Sequence, residues 1–489
     1  MLIKLYYFII LILNVKLISG SETKKNVNIA IIGAGMSGMA AGGKLIELGY
    51  HNITIFEAST RYGGRIMSIP YKDGFLQMGA QFINGDKNPI YKIGKYLNVI
   101  EDEYPDLGHF DEAKYFFGNC SVTNKNINIF KKFISPLDNK YREIADEDEE
   151  ASRKHTLESI YKIDYDKFLK NVNASEGEKN IYDAMSRSFR SYWEFEWASK
   201  WGDQSLRNLA EWNDLGAIGV SYTTNKYGYK KIIDYIKKRI PKEKYKFGIR
   251  INKIRYDNTG VYLSVNGEEM KDKFDHVIVT SSLGHLKIYH KMLFEPMLPR
   301  HKQKVIETIG FGSSQKIFFA YTKPFWNSKY TSISPLPIKK CNREGDIDEI
   351  ESELISFQVV NWSPNVLMAW IAGDGPIKMD ELSDNELSKR VTKLFRDMFL
   401  NETIPYPVKI IRTKWHKNDL YNGSYSYVSK KQAQLKIKHW ELSIPVKING
   451  NPRILFAGEA THHRIFETAV GAYLTGRREA ERIHFYHTK

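Results

Sequence analysis

The sequence predicts an α/β fold, an α+β two-domain chain. One domain is a parallel sheet assembled from separated stretches, and the other mixes sheet and helices. Three observations predict it. Ile29-Ala30-Ile31-Ile32 is a short apolar run that ends in the turn Gly33-Ala34-Gly35-Met36-Ser37-Gly38 and leads into a helix-like stretch, Met39 to Leu48. Val277-Ile278-Val279 is a second apolar run, far along the chain. Ile454-Leu455-Phe456, near the C-terminus, is a third. Runs that are apolar at every position suit strands covered on both faces, as in a parallel sheet.

The opening unit is the most specific of these. A G-x-G-x-x-G turn between strand and helix, followed by Ile53-Thr54-Ile55-Phe56 and the acid Glu57, matches the fingerprint of a Rossmann-like dinucleotide site. Gly33 allows the tight turn, Gly35 lets backbone approach a pyrophosphate, and Gly38 lets the helix pack on the strand. The helix N-terminus, with Ser37 in its first turn, offers N–H groups and partial positive charge to phosphate. Glu57 lies 19 residues past Gly38, where a carboxylate takes two ribose hydroxyls.

The other elements follow in order. Arg61-Tyr62-Gly63-Gly64-Arg65 is a second glycine turn whose arginines either face phosphate or form a plain basic loop. Phe75 to Phe82 reads as a strand interrupted by Gly79-Ala80, small residues where bulk is excluded. Tyr91 to Tyr192 is mostly helix-like and charged, with a solvated run from Glu143 to Lys154. Ser191 to Ala198 sets Glu194 and Glu196 among aromatics. On a strand these acids share a face, and on a helix they diverge. Gly228 to Ile240 reads as a helix, Phe247 to Ile254 with Val261 to Val265 as a hairpin, and Val277 to Thr280 as a late strand of the opening sheet.

Gln315 to Tyr321 is strand-like and places Lys316 on a face with Phe318 and Ala320. Such a lysine is either an edge-strand guard or a buried functional amine. Glu353 to Asn361 and Leu367 to Ile371 form another hairpin, and Leu382 to Phe399 a helix. Trp415 to Tyr427 gathers aromatics around Asn422-Gly423-Ser424. Arg453 to Glu459 is a strand ending in Gly-Glu, and a turn then leads to a final helix, Gly471 to His484.

Composition sets the frame. A chain of 489 residues with 42% hydrophobic residues supports two or three packed domains. Its net charge of +15 favours loose attraction to anionic surfaces, and no nucleic-acid module accompanies it. No residue is assigned to a metal. Lys4, the apolar run Leu5 to Leu13 and the small residues Ser19-Gly20-Ser21 read as a secretory signal over residues 1–20, with a signal anchor as the alternative. The run is short for a bilayer span, and no second long apolar stretch suggests a transmembrane segment. Cys120 and Cys341 are the only cysteines, and their spacing leaves pairing open. N-x-[ST] sequons begin at Asn52, Asn119, Asn173, Asn361, Asn401 and Asn422.

Several of these blocks together resemble the flavin-containing amine oxidase family, most closely its polyamine oxidase branch. They are Gly33 to Gly38, Glu57, Gly63-Gly64-Arg65, Gly79-Ala80-Gln81, Thr280-Ser281-Ser282-Leu283-Gly284, Lys316 with Pro324-Phe325-Trp326, Gly423-Ser424-Tyr425-Ser426, and Gly458-Glu459 with Gly471-Ala472-Tyr473. The resemblance implies FAD. The matching contact positions are Gly33, Gly35, Ser37, Gly38, Glu57, Arg65, Gly79, Ala80, Gln81, Ile251, Trp415, Glu459 and Val470. Ser424 stands where the monoamine oxidases carry a flavin-bonded cysteine, which implies non-covalent FAD.

The resemblance also implies roles near the reaction. Lys316 matches a lysine that holds a water beside flavin N5. Tyr425 matches one of two aromatics that flank the amine, and Thr468 stands where the second is often Tyr. Asn84 stands where polyamine oxidases usually have Glu or His. For a cationic substrate, Glu196 is the best placed acid, with Glu194 in reserve, and a domain-interface salt bridge is the alternative for Glu196. The implied reaction oxidises a small-molecule amine, a polyamine by preference, with dioxygen, yielding peroxide and an aldehyde. Residues 26–85, 225–300 and 450–489 form the expected FAD-binding domain, and 86–224 and 301–449 the substrate-binding domain. The expected protein is secreted. The alternatives are a secreted L-amino-acid oxidase or a catalytically inactive secreted flavoprotein.

Overall fold

A computed structural model of the chain describes residues 26–105, 113–215, 220–338 and 350–488. The signal-like segment over residues 1–20 and Cys341 lie outside them. Cys120 is disulfide-bonded.

The first sheet has the strand order Val446–Ile448, Asn451–Phe456, His276–Val279, Ile29–Ile32, Ile53–Glu57, Tyr245–Phe247. All neighbours are parallel except the first pair, which is antiparallel. Alternate residues of its central strands feed two separate cores. Ile29, Ile31, Ile55 and Ile278 enter one, and Ala30, Phe56, Val277 and Val279 enter the other. This double covering is why the strands are apolar at every position. The sheet gathers three separated stretches of chain. Its last stretch starts earlier than residue 450, because Val446–Ile448 pairs with Asn451–Phe456.

Helix Met36–Glu47 packs on the sheet and against the final helix, Ala469–Thr488. The crossing is close. A Cβ built on Gly476 would lie 2.1 Å from the Ser37 carbonyl oxygen, so only glycine allows it.

A second six-stranded sheet has the order Lys409–Arg412, Ser314–Ala320, Val366–Ala372, Ile355–Val359, Ser332–Pro335, Ala113–Phe116. Its second and third strands are the expected lysine strand and one arm of the expected hairpin. Ser314–Ala320 is flanked on both sides, with Lys316 in register with Trp370. Lys316 is 1% exposed, so the edge-guard reading falls.

Residues 191–196 end a 21-residue helix, Glu176–Glu196, started by a Ser175–Glu178 capping box. Its buried face joins the aromatic core made with Asn124–Ile134, Leu137–Glu147 and Leu157–Asn171. Among the described residues no helix is long and apolar enough to cross a membrane. Five sequon asparagines (52, 119, 173, 361 and 401) are exposed, while Asn422 is half-buried and donates to Asp419 O at 2.9 Å.

Candidate active site

A cavity of about 510 Å³ is lined from both sheets. One part of its wall is the opening turn. Gly33 adopts φ 105°, and a Cβ there would meet Thr280 Oγ1 at 2.6 Å. Gly38 faces inward: its Cβ would lie 1.9 Å from Gly33 O. It is a packing glycine and does not line the cavity. Around Gly35 the nearest atom to such a Cβ is Gly64 Cα at 3.9 Å, so this backbone is left open to the cavity. Helix Met36–Glu47 has no side-chain N-cap. Ser37 Oγ in its first turn is buried with no hydrogen-bond partner. Unsatisfied N–H groups, an orphaned hydroxyl and bare glycine backbone together fit a pyrophosphate.

Glu57 is built to hold its carboxylate still. Oε2 accepts from Ala34 N at 2.8 Å, and Oε1 accepts from Ser59 N at 2.8 Å and Ser59 Oγ at 2.7 Å. Ile251 lines the same region. At the C-terminal turn, Gly458 adopts φ 134° with nothing within 4 Å of a built Cβ. Glu459 is paired with Arg65 at 3.0 Å. Arg65 also donates to Ser424 O at 2.6 Å. Trp415 lines the cavity, edge-on to Tyr421 with centroids 5.3 Å apart. A Cβ on Gly79 would sit 1.7 Å from Arg65 O. These residues fit FAD, which Glu57, Arg65, Trp415 and Glu459 would help to hold. Val470 is different. Its side chain is fully buried in the core, so only its backbone is available, and Ala469 and Ala472 line the cavity instead.

Lys316 joins the two walls. Its Nζ donates to Gln77 O at 2.6 Å, Gly79 O at 2.9 Å and Gln81 Oε1 at 2.6 Å. An ammonium has three donors, and all are engaged with the segment 77–81. Burial pushes the amine well below the ordinary lysine range. The three acceptors and the face of Trp370, 4.3 Å from Nζ, act in the opposite direction. Ala80 and Gln81 line the cavity beside it.

Tyr425 donates its hydroxyl to Phe195 O at 2.5 Å. Burial, then the negative charges of Glu467 and Glu196, hold that hydroxyl well above the ordinary tyrosine range. Thr468 lines the cavity, but its hydroxyl caps the final helix, accepting from Gly471 N at 2.9 Å and donating to Ile465 O at 2.9 Å. Asn84 lines it too and donates to Ser221 Oγ at 3.3 Å.

The two candidate acids separate. Glu196 lines the cavity and Glu194 does not. On a helix, residues two apart point about 200° around the axis from one another. Glu194 instead lies near Arg190 and accepts from Trp201 N at 3.4 Å. Burial pushes its pKa up to about 7. Arg61 likewise turns away: it donates to Gly64 O at 2.7 Å and Tyr421 at 3.2 Å and braces the loop.

Several lining residues were not foreseen. Trp370, Trp212 and Tyr192 supply aromatic wall, and Asp138, Arg142 and Glu467 supply charge. Only the aromatic density around 191–198 signalled any of them.

Residues 36–484 match the family profile described as flavin containing amine oxidoreductase. The chain is 26% identical over 481 residues to the peroxisomal N(1)-acetyl-spermine/spermidine oxidase of Bos taurus, covering 93% of this chain and 94% of that one. It is 25% identical over 550 residues to the probable polyamine oxidase 5 of Arabidopsis thaliana, covering 94% and 98%. Among solved structures, the cyclohexylamine oxidase of Brevibacterium oxydans IH-35A superposes with a TM-score of 0.68 at 18% identity, covering 94% of this chain and 99% of that one.

Proposed function

The chain belongs to the flavin-containing amine oxidoreductase family, and from that premise we propose that it is a secreted polyamine oxidase. FAD, when bound, supplies the oxidant that takes a hydride from the carbon beside the amine nitrogen, and dioxygen carries the electrons on to hydrogen peroxide. The nitrogen gives up a proton, a C=N bond forms, and water converts it to an aldehyde and a shorter amine.

The observation that carries this reading is Glu196. It lines the cavity with Trp193, Trp197 and Tyr425, and the FAD-binding residues line that same cavity. Aromatic walls exclude water around an alkyl chain, and a carboxylate among them attracts an ammonium group. Tyr425 keeps its proton at neutral pH, because its hydroxyl titrates well above the ordinary range. It therefore positions the amine and does not act as base. Lys316 ties the segment 77–81 to its own strand by donating to Gln77 O and Gln81 Oε1. Ser424 supports non-covalent FAD, since a serine hydroxyl at this place donates to Ser314 O and forms no thioether.

The amino-acid oxidase alternative needs an arginine for the substrate carboxylate. Arg142 lines the cavity, but its Nε donates to Asp138 at 2.8 Å. Expression of the secreted form tests the readings. A yellow protein that makes peroxide from spermine, spermidine or their acetyl forms, and none from L-leucine, is the expected result. Peroxide from leucine alone favours the amino-acid oxidase, and silence with every amine favours an inactive flavoprotein.

The apolar run Leu5 to Leu13 and the disulfide-bonded Cys120 support secretion. Full-length expression in cultured eukaryotic cells should release to the medium a chain that begins at Ser21. Retention of the uncleaved chain in cells refutes this.

A further inference from the structure

Side chains alternate along the strand Ser314–Ala320, so Gln315 points away from the face that carries Lys316. On that opposite side it meets Asp380, which follows the short helix Gly375–Met379 and whose side chain is fully buried. Asp380 Oδ1 accepts from Gln315 Nε2 at 2.8 Å. The same Nε2 donates to Thr413 O at 2.6 Å. Thr413 in turn brackets the backbone of Lys316. Its N–H donates to Lys316 O at 3.1 Å, and its Oγ1 accepts from Lys316 N at 3.0 Å. The other oxygen, Asp380 Oδ2, lies 3.4 Å from His416 Nε2 and 3.9 Å from Lys417 Nζ. Thr413 and His416 stand on either side of Trp415 in the chain. One carboxylate is thus joined to the residue beside Lys316 and to both flanks of Trp415, and these two residues line the cavity.

Docking of this segment does not need the charge. Arg412 donates to Met379 O at 2.8 Å and Leu382 O at 2.6 Å, and so holds the chain on either side of Asp380. A buried carboxylate is costly, and a neutral side chain of similar size would pack as well. Among the described residues, Oδ2 and both ring nitrogens of His416 are buried without a hydrogen-bond partner, which leaves the contact between them to offset that cost. We infer that Asp380 is a positioning residue for amine oxidation: through Gln315 and Thr413 it fixes the backbone that carries Lys316, and with His416 it fixes the loop that carries Trp415. This deepens the amine-oxidase reading and rests on it.

The test uses the FAD-loaded enzyme and the variants Asp380→Asn and Gln315→Met, each alone and combined with Lys316→Met. The first keeps the volume of the side chain, and the second cuts the link without touching Asp380. Flavin absorbance and melting temperature establish that each variant is folded and loaded. The visible circular dichroism of bound FAD, which reports the wall around its ring, should differ from wild type in both variants. Anaerobic reduction by spermidine should slow about fivefold in each, with the amine concentration for half-maximal rate little changed. In the Lys316→Met background the same substitutions should slow it by less than about twofold, because a residue that acts through Lys316 has lost the group it positions. Unchanged dichroism, an unchanged rate, or an equal slowing in the Lys316→Met background each overturns the inference and leaves amine oxidation standing. So does an Asp380→Asn variant that fails to fold while Gln315→Met behaves as wild type. A wild-type enzyme that no amine reduces overturns the amine-oxidase reading and this one with it.

Discussion

Lys316 is a long cation on an interior strand, shared among three acceptors of the segment 77–81 and the face of Trp370. Lys316→Met keeps the length and removes every donor. FAD should stay bound while its reduction by amine slows at least tenfold, equal to about 1.4 kcal/mol of barrier. Anaerobic stopped-flow absorbance measures this, and an unchanged rate removes Lys316 from the reaction. Glu194 makes a different prediction. Its pKa rises from 4.5 to about 7 in the folded chain through burial. The folded state then holds more protons than the unfolded state between those values, so stability falls as pH rises through them. Glu194→Gln should therefore raise the melting temperature at pH 8, by up to roughly 3 kcal/mol of stability. The gain should vanish below pH 4.5, where the acid is protonated in both states. Arg190 keeps Glu353 as its partner in the variant. Melts at pH 4 and pH 8 that show equal gains contradict the assignment.

At the scale of elements, the opening strand, turn and helix act through glycines with separate tasks. Gly38 meets Gly33 O at 1.9 Å from a built Cβ, so Gly38→Ala must shift backbone. The melting temperature should drop by several degrees and the protein should purify without yellow colour. Gly35 has φ −73°, allowed for any residue, and only Gly64 Cα lies near its built Cβ. Gly35→Ala should therefore fold normally and weaken FAD binding at least tenfold, because its methyl occupies the approach to the pyrophosphate. Apo-protein melts and FAD titrations separate the two effects. Loss of folding in Gly35→Ala, or normal flavin content in Gly38→Ala, contradicts this division. The helix Glu176–Glu196 shows how element type decides chemistry: as a helix it sends Glu196 into the cavity and Glu194 away from it.

For the whole molecule, the cavity-lining residues on the side expected to hold FAD come from stretches around 33–65, 79–81, 251–285, 415–424 and 458–472. A ligand that binds such a dispersed site binds the folded chain alone. Added FAD should raise the melting temperature of the apo-protein, with about 2.7 kcal/mol of stabilisation at a hundredfold excess over Kd. Differential scanning fluorimetry across an FAD series checks it, and a flat series contradicts the site.

The parallel sheet, the glycine turn and the held carboxylate of Glu57 were legible in the sequence because their signals are local. Gly33 to Gly38, Glu57 and the apolar runs at 29–32 and 277–279 each state a backbone need within a few residues. The resemblance pointed to Lys316 and Tyr425, and both line the cavity. Only the tertiary structure decided which acids line the cavity. Glu196 and Glu467 are far apart in the chain, yet both line the cavity, where Tyr425 donates to Phe195 O and Glu459 accepts from both Ser426 and Glu467. A pattern of single residues cannot encode such a placement, since it depends on three chain segments being packed at once.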